Sequence, residues 1–102
     1  EKGLVTAVIT QADLNEAGVD WGDIDNLINT VRLAVEADVA VLAKVHADGT
    51  VKLSLRSRGA TDVGSLAAAM GGGGHRLASG ATYVGDVKDA LDEVRKRLED
   101  FR

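Results

Sequence analysis

The chain has no cysteine, which removes any disulfide framework and any thiolate metal site and accords with a reducing compartment. Aromatic residues make up 3% of it, one each of Trp, Tyr and Phe, so the core has to be built from Val, Leu, Ile and Ala. No apolar run approaches the roughly 18 residues of a membrane-spanning helix, and a soluble, cytoplasmic protein without a membrane partner is expected. The formal net charge of -4 argues against a general nucleic-acid coat protein. Only two histidines occur, His46 and His75, far apart and without a companion at ligand spacing, so no metal site is expected. For base-assisted nucleophilic attack the sequence offers only a serine beside His75, such as Ser57 or Ser79. Neither is favoured, and no catalytic residue is expected.

What is present is an aliphatic, folded chain. Its 102 residues, 45% of them hydrophobic, suit a single domain over 1–102 with a modest core. Leu4–Thr10 is short and β-branched, a strand covered on both faces. Thr10 then caps a short helix over Gln11–Ala17, with Asp13 in its first turn and Gly18 at its end. Ile24, Leu27, Ile28 and Val31 fall on one stripe of a second helix, which Trp21 is placed to staple. Val39–Val45 and Val51–Ser57 flank Asp48-Gly49, a hairpin signal. Asp62 caps a helix carrying Val63, Leu66, Ala67 and Met70. A strand is expected over Ala81–Val84, and Asp86 caps a last helix carrying Val87, Ala90, Leu91, Val94, Leu98 and Phe101. The order of elements predicts an α/β domain with a mixed sheet of about four or five strands.

One stretch is not required by such a fold. Gly71-Gly72-Gly73-Gly74-His75 loses more entropy on ordering than any other residues would. In return it offers backbone N–H groups that a ligand can approach closely, next to a hydrogen-bonding ring. The expected guest is phosphate. Charge points the same way: from Lys52 to Arg76 four basic residues, Lys52, Arg56, Arg58 and Arg76, stand against the single acid Asp62. Side-chain alternation puts Lys52, Ser54 and Arg56 on the strand face away from the core, with Arg58 continuing on that side. The glycines follow a helix rather than a strand, unlike the dinucleotide fingerprint, and no Lys-Ser or Lys-Thr pair follows them as in a P-loop.

Val-Lys-Leu-Ser-Leu-Arg-Ser-Arg-Gly (51–59), the capped helix beginning Asp62-Val63, the glycine run with His75, and Arg-Leu-Ala-Ser-Gly (76–80) together resemble the DHHA1 domain. That is the C-terminal domain of the DHH phosphoesterases, which include oligoribonucleases of the NrnA type, pAp phosphatases, cyclic dinucleotide phosphodiesterases and RecJ exonucleases. The likeness spans most of the chain. It implies that Gly72, Gly73, Gly74 and His75 contact a substrate phosphate, that Arg56 binds phosphate or base, and that Ser79 lies in the same pocket. The residues themselves add Arg58 as a second fixed cation. The resemblance further implies a separate N-terminal DHH domain in cis, holding manganese ions and performing hydrolysis on short RNA, 3′-phosphoadenosine 5′-phosphate or cyclic di-AMP. No Asp-His-His motif occurs in these residues; with Glu1 as its first residue, the chain is expected to be a piece of a longer polypeptide and inactive alone. A homodimer of the parent is left open. A related domain ends alanyl-tRNA synthetases, so a non-catalytic RNA-binding or assembly module is the second reading; the Ser-Leu-Arg-Ser strand and His75 resemble the phosphoesterases more.

Overall fold

The computed structural model describes residues 3–21 and 38–101. In chain order it has β1 (Leu4–Thr10), α1 (Gln11–Ala17), β2 (Val39–Val45), β3 (Thr50–Ser57), α2 (Val63–Ala69), β4 (Gly73–His75), β5 (Ala78–Val84) and α3 (Val87–Phe101). The strands form one five-stranded sheet in the order β1-β2-β3-β5-β4. β1 and β2 are parallel and the remaining pairs antiparallel. The expected mixed α/β sheet is therefore the observed one. The expected helix of Ile24, Leu27, Ile28 and Val31 lies outside the described residues. Among the described residues no helix is long and apolar enough to cross a membrane.

Period-two alternation gives the sheet two unlike faces. On one, Val39, Val41, Val51, Leu53 and Leu55 are buried with Val63 and Leu66 of α2 and Ala90, Leu91, Val94 and Leu98 of α3. Each of these Val and Leu side chains contributes about 1.5–3 kcal/mol by leaving water. On the other face Ala40 and Leu42 are buried, with Val5, Ala7 and Ile9 of β1 packed on them. Farther along the sheet that second face turns polar, carrying Lys44, Lys52, Ser54, Arg56 and Thr82.

The caps are those the sequence signals. Thr10 and Asp13 form a reciprocal capping box and Gly18, at φ 71°, ends α1. Asp86 accepts from the Lys88 amide at 2.7 Å to start α3. Trp21 stacks on His46 at 4.3 Å between ring centroids and donates to Gln11 Oε1 at 3.1 Å; the helix start it was expected to staple lies outside the described residues. Two expectations change. β5 begins at Ala78 rather than Ala81, and Gly73–His75 is not a loop but an edge strand, joined to β5 by the two-residue turn Arg76-Leu77.

Asp62 caps α2, its Oδ1 accepting from the Ser65 amide at 3.0 Å and its Oδ2 from the Ser65 hydroxyl at 2.9 Å. These two bonds hold its carboxyl below the usual 3.8. A carboxyl lowered in the folded state stabilises above its unfolded value, and that contribution is lost as pH falls through the folded one. Asp62→Ala should melt below the parent protein at pH 7, and the gap should close once the pH drops under the ordinary carboxylate range; calorimetric melts over that range are the check.

Candidate anion-binding cleft

The glycine run begins as a helix stop. Gly71, at φ 86°, donates to the Ala68 carbonyl at 3.1 Å while Gly72 donates to that of Ala67 at 2.8 Å, the paired bonds of a Schellman cap. The chain then turns flat against β5. A Cβ at Gly72 would lie 2.2 Å from the Gly80 carbonyl oxygen, and one at Gly74 2.7 Å from Ser79 Cα. Gly74 also sits at φ 146°. At Gly73, by contrast, a Cβ would meet nothing within 4 Å. Gly71, Gly72 and Gly74 therefore have structural reasons to be glycine, and Gly73 has none within this fold.

The amides divide in a related way. The Ser57 amide donates to the Leu77 carbonyl at 3.0 Å, which sets the phase of the β3–β5 ladder. By alternation, Ala78 and Gly80 then turn their N–H and C=O groups to β4. Their partners there are His75 and Gly73. With Gly71 and Gly72 committed to the helix end, Gly74 is left with its N–H directed away from the sheet. The run thus presents one outward amide.

Register lines up the rest of the site. Arg56 of β3 is opposite Ala78 of β5, and Ala78 is opposite His75 of β4. Arg56 and His75 thus share one row on the open face, about 10 Å apart as two strand spacings. In the next row Ser54, Gly80 and Gly73 follow one another. Ala78 and the two glycines keep the floor between these side chains low. The resulting depression has a volume of about 460 Å³ and is lined by Lys44, Ser54, Arg56, Gly73 and Gly80 among others, with no carboxylate among the described lining residues. The Leu77 amide donates to His75 Nδ1 at 3.3 Å, so the neutral ring carries its proton on Nε2, and the ring is exposed. Arg56 uses one Nη1 bond, at 3.0 Å, on the Leu55 carbonyl; the rest of its fork is left for a ligand. The Arg56 guanidinium in this lining suits an oxyanion, and the exposed His75 imidazole stands in the same cross-strand row.

A family model for the DHHA1 domain matches residues 1–101. This chain belongs to the DHHA1 family. Over 98 residues it is 34% identical to the bifunctional oligoribonuclease and PAP phosphatase NrnA of Thermus thermophilus, covering 95% of the chain and 28% of that protein. The crystal structure of an exopolyphosphatase-related protein from Bacteroides fragilis superimposes with a TM-score of 0.84 at 25% identity, covering 96% of this chain and 29% of that one. The C-Ala domain of Aquifex aeolicus alanyl-tRNA synthetase reaches 0.68 at 14% identity, covering 93% of this chain and 89% of its own. This DHHA1 chain thus spans well under a third of the NrnA relative, and the C-Ala likeness concerns the fold alone.

Within the DHHA1 fold the sequence candidates separate. Arg56 and Gly73 line the cleft; His75 shares the cross-strand row of Arg56 but, like Gly74, is not part of the lining. Gly72 serves the helix cap and the close approach to β5. Ser79 falls on the opposite face: its buried hydroxyl donates to the Val63 carbonyl at 2.7 Å, because its register partner is core-facing Leu55. It reaches the cleft as backbone. Arg58 is exposed just past β3, its amide bonded to the Asp38 carbonyl at 2.9 Å, and it does not line the cleft. Arg76, also outside the lining, ties the turn after β4 to the Gly59 carbonyl at 3.1 Å. Lys44 and Gly80 line the cleft and were not anticipated; pairing across the Asp48-Gly49 hairpin would have placed Lys44 there.

Gly73→Ala should leave stability within about 0.5 kcal/mol of the parent, as a surface change does. Gly72→Ala, forced against backbone, should lose about 1–3 kcal/mol, the usual range for overpacking. Denaturant unfolding of the two variants measures both.

Proposed function

We propose that this DHHA1 chain is the substrate-binding domain of a two-domain phosphoesterase acting on short RNA or small nucleotide phosphates. The observation that carries the reading is the cross-strand row of Arg56 and His75, beside a depression that Arg56 lines over the low floor of Gly73, Ala78 and Gly80, with no carboxylate among its described lining residues. Such a surface neutralises and orients a phosphate: the guanidinium fork matches two oxygens, and the imidazole and the Gly74 amide donate to others. Family membership and the likeness to NrnA support the phosphoesterase context.

Hydrolysis is assigned to a DHH domain elsewhere in the parent protein. Among the described residues no three His, Cys, Asp or Glu side chains converge as a metal site needs. The described residues do not fit a manganese pair, which in this reading is held by that other domain. The second reading, an RNA-binding or assembly module, draws on the C-Ala likeness; it predicts affinity for structured RNA that does not depend on Arg56 or His75.

Isothermal titration with 3′-phosphoadenosine 5′-phosphate tests the proposal. Arg56→Ala should weaken binding by about 10–100-fold, the range for removal of a charged hydrogen bond, and His75→Ala should weaken it in the same direction. Unchanged affinity in both variants would move the phosphate off this row and sink the reading.

A further inference from the structure

Arg76 is one of the basic residues that the sequence gathers around the glycine run, yet its side chain is used elsewhere. Its Nη1 donates to the Gly59 carbonyl at 3.1 Å. Behind the bonds from Ser65, its charge also helps hold the Asp62 carboxyl low. Arg76 does not line the cleft.

The carbonyl it uses belongs to a held backbone. Gly59 sits at φ 137°, where L side chains are rarely found, although a Cβ there would meet nothing within 4 Å. Conformation rather than space therefore asks for glycine. The Gly59 amide donates at 3.0 Å to the hydroxyl oxygen of Ser57, which is buried. From the start of β2, Asp38 clasps the same loop twice. Its carbonyl accepts from the Arg58 amide at 2.9 Å, and its Oδ2 accepts from the hydroxyl of fully buried Thr61 at 2.7 Å. The loop from Ser57 to Asp62 is thus a fixed frame beside the β4–β5 turn.

What the frame holds is that turn, Arg76-Leu77. The Val63 amide grips its Arg76 carbonyl at 2.9 Å and the Ser57 amide its Leu77 carbonyl at 3.0 Å; the Arg76 side chain adds a third tie. The Leu77 amide in turn donates to His75 Nδ1 at 3.3 Å, longer than the usual distance of about 2.9–3.0 Å. A bond of that length is the first to be lost if the turn shifts. His75 is exposed, so packing contributes little to holding its ring.

We infer that Arg76 is a positioning residue for the Arg56–His75 row: its tie to Gly59 keeps the Leu77 amide on His75 Nδ1, and so keeps Nε2–H turned out as a donor. Arg76 acts through the imidazole and does not itself touch the ligand. The inference rests on the phosphate reading of that row.

The test joins imidazole ¹⁵N NMR and amide exchange of the free protein to titration with 3′-phosphoadenosine 5′-phosphate. At about pH 8.5, above the usual histidine range, Arg76→Ala should shift the His75 Nδ1 signal and speed exchange of the Leu77 amide, with the Leu55 amide unchanged. Affinity should fall about two- to tenfold, as for one lost hydrogen bond. Arg76→Lys, which keeps a donor, should restore both. In a His75→Ala background, Arg76→Ala should cost nothing further, because residues that act through one another are not additive. Additive losses would make Arg76 a direct phosphate contact, and unmoved His75 and Leu77 signals would deny it any hold on the ring. Either result overturns the inference while the Arg56–His75 row stands. If the unsubstituted protein does not bind 3′-phosphoadenosine 5′-phosphate, the phosphate reading of the row falls and this role with it.

Discussion

The site depends on how closely β4 approaches its neighbours. Gly72 and Gly74 lie so near β5, and Gly64 of α2 so near the His75 carbonyl, that a Cβ at any of the three would come within 2.8 Å of backbone. Ala in place of Gly inside a helix is normally favourable by about 1 kcal/mol; at Gly64 the contact with His75 opposes it. The Val63 amide adds a bond to the Arg76 carbonyl at 2.9 Å. These contacts lock a three-residue edge strand to both sheet and helix and hold His75 in register with Arg56. A looser attachment would leave the imidazole and the guanidinium on independent supports.

The sheet keeps its functions apart by parity. Residues facing α2 and α3 are aliphatic and buried, including the positions of Val51, Leu53 and Leu55. Their neighbours Lys52, Ser54 and Arg56 face the other way. Positive charge can accumulate on that open face without entering the core, where an unpaired ammonium would be costly to desolvate. The same parity explains Ser79, which adjoins the cleft in sequence and yet donates its hydroxyl into the helix face.

Much of this was legible in the sequence. Thr10, Asp62 and Asp86 announced their helices, and Asp48-Gly49 its hairpin, because capping and turn chemistry act over a few residues. The alternation of β3 put Arg56 on the open face without reference to any other strand. What was not legible depends on partners distant in sequence. Glycines carry no side-chain periodicity, so nothing local marked Gly73–His75 as a strand until β5 was beside it. Nor could the run show that Gly71 and Gly72 had committed their amides to the end of α2. Ser79 does line the cleft, but that it does so as backbone was not legible for the same reason: the face of its side chain follows from its register with Leu55. The resemblance to DHHA1, carried by Ser-Leu-Arg-Ser and the glycines with His75, supplied the family; it did not supply the division of labour among the glycines.

That division is the central claim: Gly71 and Gly72 build the fold, while Gly74, His75 and Arg56 are proposed to meet the phosphate. It is tested most directly by amide and imidazole ¹⁵N NMR during titration with 3′-phosphoadenosine 5′-phosphate. The account predicts saturable shifts at the Gly74 amide, at His75 Nε2 and at the Arg56 guanidinium, with the Gly71 amide nearly still. Shifts centred on Gly71 and Gly72, with His75 and Arg56 unmoved, would contradict it.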